Sequence, residues 1–273
     1  SPSSRVTFLN IPGTPDDADA SGCDLVGGNN GTGLAGVLAL AGGDLGQFLN
    51  PDENGDISLI LLAQLAGWDE GQTGNEVGTA DLKLFNGDLN ADGDFFIDPA
   101  SFIDNDPMND PLIFFPGAST ENQLLVTPAS EFALSLPLVE GLPIQINLAE
   151  TKLKANLAVG AAGFDLTSGV LSGYLPRQSI VDLIVAIQTA CGAENPPSLC
   201  DTVTAVLPID GNPEDVLPLI LQLIGGFDAR LDAGVPGDCD PLAMEGDANA
   251  CNAVSVCLEI ESEGTKIAGV SAE

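Results

Sequence analysis

Apolar residues recur at every second position through much of the chain's second half. Phe132, Leu134, Leu136 and Leu138 alternate with smaller residues, and Pro137 marks an edge or a bulge there. Ile144, Ile146 and Leu148 alternate with Gln145 and Asn147. Leu153, Ala155, Leu157 and Val159 alternate with Lys152, Lys154 and Asn156, and Phe164 and Leu166 resume after the turn at 160–163. Val254, Val256, Leu258 and Ile260 alternate with Ser255, Cys257, Glu259 and Glu261 and predict a C-terminal strand. Arg5–Ile11 predicts a first one. Period two with one polar side describes an antiparallel meander, packed on one face and wet on the other.

Helical spacing alternates with these runs. Leu34, Val37, Leu38, Ala41, Leu45, Phe48 and Leu49 fall on one face, weakened by Gly42-Gly43. Ile180, Leu183, Ile184, Ile187 and Cys191 predict a second helix after Pro176. Leu199, Val203 and Val206 suggest a short one. Asn212-Pro213 is a good N-cap and first-turn pair for another, stopping at Gly225-Gly226. Ile57–Leu65 is apolar throughout and fits either a buried strand or a short helix. No repeat or linker divides the chain, so 1–273 is expected to form a single α+β domain, an antiparallel β meander with helices packed on one face. Residues 1–33 are loop-rich, and 81–110 are expected to form an acidic loop insertion.

Charge changes the picture most. Asp and Glu total 40 against 7 Lys and Arg, a formal charge of −33, while 44% of residues are hydrophobic. A core can form, but such a surface repels phosphate backbones and anionic headgroups, so nucleic acid and membrane surfaces are poor partners. The longest apolar stretch, Ile57–Trp68, is too short for a membrane span. There is no histidine, which excludes Ser-His-Asp and Cys-His catalysis and any His-ligated metal. Neither Gly-x-Ser-x-Gly nor the aspartic-protease signature is present, and the Gly-rich run 27–31 lacks the lysine of a phosphate loop. No enzyme is expected.

Six cysteines occur, at 23, 191, 200, 239, 251 and 257, with no Cys-x-x-Cys pair. An even count points to disulfides and an oxidising, extracellular or cell-surface location, and Ser1 at the start fits a processed chain or a fragment. Six cysteines allow 15 pairings. Loop length favours Cys191–Cys200 and Cys239–Cys251, leaving Cys23–Cys257 to tie the ends together.

The most informative segment is Asp88-Leu89-Asn90-Ala91-Asp92-Gly93-Asp94, followed by Asp98. Oxygen side chains at alternate positions, then glycine for a sharp turn, suit a calcium ion that wants six to eight oxygens. These residues resemble the calcium loops of EF-hand, dockerin and thrombospondin type 3 proteins. Position 12 is Pro99 rather than a carboxylate, so Asp98, Asp104 or Asp106 would close the site. Calcium is the expected cofactor, on Asp88, Asn90, Asp92, Asp94 and Asp98. Weaker candidates are Asp52–Asp56 around an Asn-Gly turn, and Asp238, Asp240, Glu245 and Asp247 in the Cys239–Cys251 loop. Asn30-Gly31-Thr32 fits a glycosylation acceptor.

The order of parts also resembles secreted, cysteine-containing proteins of the myxobacterial type. The likeness rests on Cys23-Asp24-Leu25, on Asn109–Ala118 and on Leu171-Ser172-Gly173-Tyr174-Leu175 leading into the cysteine-bearing helices. It implies secretion, disulfides and a single domain, and carries no activity. The expected function is an extracellular structural or surface protein, calcium-stabilised and self-associating through the terminal strands Arg5–Ile11 or Val254–Ile260. The alternative is a secreted binding module for a hydrophobic ligand or partner peptide. A third reading makes the acidity a salt adaptation without a site.

Overall fold

The computed structural model describes residues 1–23, 25–27, 31–33, 35, 46–50, 57–68, 77–139, 142–193, 196, 200, 208, 210–232, 235–243 and 246–271. In chain order the elements are β1 (Ser3–Asn10), α1 (Pro15–Ser21), α2 (Gly46–Leu49), β2 (Leu61–Ala66), β3 (Gly78–Leu89) and β4 (Phe95–Ile97). Two 3-10 turns (Pro99–Ser101 and Ile103–Asn105) lead to β5 (Ile113–Glu121), β6 (Leu124–Val126), β7 (Ser130–Val139), β8 (Leu142–Gly160) and β9 (Gly163–Pro176). Then come α3 (Arg177–Cys191), α4 (Pro213–Leu223), β10 (Arg230–Asp232), β11 (Val235–Gly237), β12 (Ala253–Gly264) and β13 (Ile267–Val270).

The α+β class is as expected, and the sheet goes further by closing on itself. Neighbours run β1, β2, β3, β5, β6, β8, β9, β12 and back to β1, every pair antiparallel. A barrel of this size leaves an interior just wide enough for side chains. Alternation fills it: Leu61, Ala63 and Leu65 from β2, Leu82 and Leu84 from β3, Leu153, Ala155 and Leu157 from β8, and Val254, Val256, Leu258 and Ile260 from β12 all join one buried apolar cluster. Trp68 and Phe164 meet edge-to-face at 6.3 Å within that cluster.

The helices continue the same core. α3 follows β9 directly, where Pro176 faces Ala253, and its Ile180, Val181, Leu183 and Ile184 pack with Val216, Leu217 and Ile220 of α4. Asn212 caps α4 through its side chain, with Glu214 and Asp215 in the first turn. Arg177 joins the two helix starts by an ion pair to Glu214 at 2.5 Å.

Outside the barrel two smaller layers form. β4 pairs with the far end of β3, and β13 runs parallel to β4; together they help cover Ile60, Leu62, Phe85 and Phe102. The N-terminal segment covers the outer face of β9 and β12, packing Ala18, Leu25 and Cys23 on Val170 and Cys257.

Two expectations need correction. The stretch 81–110 is not a loop insertion throughout, because Gly78–Leu89 is a barrel strand. Ala80, Leu82 and Leu84 there carry the same two-residue period as the later strands, masked by the surrounding aspartates. Ile144–Leu148 and Leu153–Val159 are one strand rather than two; Glu150, with φ 52°, forms a bulge that keeps both halves in line. Ile57–Leu65 resolves to strand from Leu61. The expected helix at 34–49 is described only at residue 35 and at its last turn, and of that at 199–206 only residue 200 is described; all of these are helical.

Candidate functional site

The aspartate-rich segment is a hairpin. β3 and β4 pair Asp88 with Phe96 and Leu89 with Phe95, leaving 90–94 as the turn. Gly93 takes φ 85° at its tip, which glycine adopts without strain. Asn90 Oδ1 accepts the backbone N–H of Asp92 at 3.0 Å and of Asp94 at 2.8 Å, an Asx turn that holds the tip. Asp88 Oδ2 accepts the Ser271 hydroxyl at 2.8 Å. Asp98 stands apart, opposite Asn86 at the hairpin's foot, where its Oδ1 caps the next turn through Ala100 N–H at 2.8 Å.

Asn90, Asp92 and Asp94 therefore share one turn, Asp88 lies on the strand that leads into it, and Asp98 lies beyond the strand that leaves it. Among the described residues no three acidic, cysteine or histidine side chains come within reach of a common metal ion. The Asp52–Asp56 candidate lies outside the described residues. In the Cys239–Cys251 loop, Asp240 Oδ1 accepts Leu242 N–H at 2.9 Å. Of the Asn30-Gly31-Thr32 pattern, Asn30 is outside the described residues, while Gly31 and Thr32 are hydrogen-bonded and bridged to β12.

The cysteines pair as 23–257, 191–200 and 239–251, with Cα separations of 6.3, 5.3 and 5.1 Å. Those distances suit disulfides. The first is buried at both ends and pins the N-terminal segment to β12.

A feature the sequence did not announce is a groove of about 620 Å³ beside α1, on the outside of β1, β9 and β12. Phe8, Pro12 and Val170 form its apolar side; Asp17, Glu259 and Glu261 carry its charge. Its residues come from four separate elements, so no local motif could have signalled it.

Arg5 is the half-buried cation of this end of the barrel. One guanidinium nitrogen donates to Leu49 O at 2.8 Å, and the group lies 5.4 Å from the Phe95 ring. Burial lowers its pKa, against a smaller opposite pull from Glu263. No helix among the described residues is long and apolar enough to cross a membrane. No protein-family model, curated protein or solved structure matches the chain.

Proposed function

We propose that the chain is an extracellular structural or surface protein that works by presenting a rigid, strongly acidic exterior. The observation that carries this reading is the Cys23–Cys257 bridge, which spans 234 residues of sequence and fastens the N-terminal segment to the last barrel strand. Disulfides persist in oxidising compartments and resist unfolding most when they close long loops. The interior supports the same view: fully buried Phe115, Phe164, Leu125 and Leu153 occupy space that a barrel carrying a hydrophobic ligand would leave open. A charge of −33 keeps such particles apart unless a specific contact joins them.

Self-association, in this reading, runs through β13. β12 has neighbours on both sides: β9 on one, and Ala229, residues 31–32 and β1 on the other. β1 has β12 and, over Ser3–Arg5, β2. Val254–Ile260 is thus flanked on both sides, while Arg5–Ile11 pairs with β12 and, among the described residues, meets β2 only at Arg5. β13 pairs only with β4 among the described residues, and its Ile-Ala-Gly-Val sequence lacks the charges that blunt an exposed edge.

The test is particle size and thermal unfolding measured together, at constant ionic strength, in a calcium titration and in excess chelator. Particles larger than a monomer that shrink when Ala268→Lys charges the edge support assembly through β13. A monomer under every condition overturns it. A rise in stability with calcium, absent in the Asp92→Asn/Asp94→Asn variant, places the ion at the hairpin. A rise that sodium matches makes the acidity a salt adaptation.

A further inference from the structure

Three adjacent strands lose regular pairing at one level of the barrel. β1 shifts register against β12 between Val6 and Phe8, β12 shifts against β9 between Ile260 and Ser262, and Ser168 of β9 takes φ 49°. The groove beside α1 opens there. Its apolar side includes the Phe8 ring, 42% exposed, an unusual position for an aromatic residue on a chain with so few. Its carboxylates are held in place by neutral donors. Asp17 Oδ2 accepts the Thr14 hydroxyl at 2.7 Å, Glu259 accepts Asn10 Nδ2 at 2.6 Å and the Ser21 hydroxyl, and Glu261 accepts Ser168 N–H at 3.3 Å. The ion pairs of the described residues, Arg177–Glu214 and Arg230–Asp232, lie elsewhere. Asp17, Glu259 and Glu261 are therefore positioned without being neutralised, next to an uncovered ring.

We propose that this groove docks an arginine of a partner polypeptide, carried on an extended segment whose apolar neighbour packs against the exposed edge of Phe8. Charge complementarity selects a cation. The Phe8 wall offers a bare metal ion no ligand. A guanidinium satisfies both sides at once, forking onto a glutamate while its flat face lies on the ring. The chain already places cations over rings internally, the Arg5 guanidinium by Phe95 and the Lys83 ammonium by Phe114. This inference stands apart from assembly through β13 and survives the loss of it.

The experiment is calorimetric titration of the intact protein with acetyl-Leu-Arg-Leu-Arg-Leu-amide in about 150 mM salt, where long-range attraction to the acidic surface is screened. Saturable binding is expected, weakened tenfold or more by Glu259→Gln/Glu261→Gln and fivefold or more by Phe8→Ala. The Glu121→Gln/Glu131→Gln variant removes the same charge from exposed positions away from the groove and is expected to change affinity less than twofold. The peptide with citrulline in place of arginine is expected not to bind. Equal weakening by both glutamate pairs, retained binding of the citrulline peptide, or no binding by the unaltered protein overturns the proposal. Phe8 is exposed, so Phe8→Ala keeps the test decisive even if the glutamate variant misfolds.

Discussion

Ser255 gives both of its donors to Asp228: its backbone N–H reaches Oδ1 at 2.7 Å and its hydroxyl reaches Oδ2 at 2.6 Å. The same hydroxyl accepts Gly31 N–H at 2.8 Å. Ser255 is fully buried on the outer face of β12, so this cluster clamps two otherwise separate strips, 31–33 and 227–229, onto the barrel. A Cβ on Gly27 would come within 2.5 Å of Asp228 Oδ2, which reserves that approach for glycine. Asp228→Ala leaves two buried donors without an acceptor, and the expected loss is about 2–3 kcal/mol. Asp228→Asn keeps one acceptor and should lose less. Urea unfolding of both variants checks the order; an alanine variant as stable as the parent would show that the clamp contributes nothing.

The Cys23–Cys257 bridge should dominate the response to reductant. Chain-entropy arguments give about 5 kcal/mol for a loop of this length, against roughly 3 kcal/mol for the short loops at 191–200 and 239–251. Cys23→Ser/Cys257→Ser is expected to lower the denaturation midpoint more than either other pair replaced in the same way. Side-by-side guanidinium titrations in oxidising buffer decide this, and a larger loss from the 239–251 pair would contradict it.

Gly163 sits where the β8–β9 hairpin meets the start of β1. A Cβ there would lie 2.0 Å from Ser3 O, a backbone atom with no flexible end to swing away. Gly163→Ala is therefore expected to cost about 2–3 kcal/mol through a forced shift of the hairpin. Alanine in place of Gly93, where nothing lies within 4 Å, meets only the backbone preference at φ 85° and should cost about 1 kcal/mol. Thermal melts of the two variants give the comparison.

The β5–β6 turn offers a gain rather than a loss. Glu121 pairs with Leu124 across a two-residue loop in which Asn122 and Gln123 both have positive φ, 53° and 64°. This is the I′ geometry that favours Asn-Gly. Gln123→Gly removes the strain at an exposed position and is expected to raise stability by about 0.5–1 kcal/mol. Its backbone carbonyl still accepts Leu157 N–H, so the tie to β8 is kept. A fall in melting temperature would contradict the assignment of the turn.

Much of the secondary structure was legible along the chain. Residues 254–260 read as a strand with Val254, Val256, Leu258 and Ile260 inward, and β12 has that arrangement. The N-cap at Asn212 and the two short-loop cysteine pairs were equally readable, because each depends on residues within a dozen positions of one another. β3 was harder: Asp81 and Asp88 drew attention to charge, while the inward Ala80, Leu82 and Leu84 decided the structure. The hairpin at 90–94 was recognisable as a turn, but the use of Asp98 as the cap of the next turn, through Ala100 N–H, was not.

By itself the sequence determined which residues face inward, which cysteines lie close enough along the chain to pair, and how acidic the exterior is. Alternation and loop length are local quantities. The tertiary structure alone decided that β3 lies beside β5 and closes the barrel, that β12 is flanked on both sides, and that Phe8, Asp17 and Glu261 share a groove. The physical reason is that strands are joined by backbone N–H and C=O groups, which are nearly the same in every residue. Side-chain periodicity says which face is buried; it does not name the neighbouring strand.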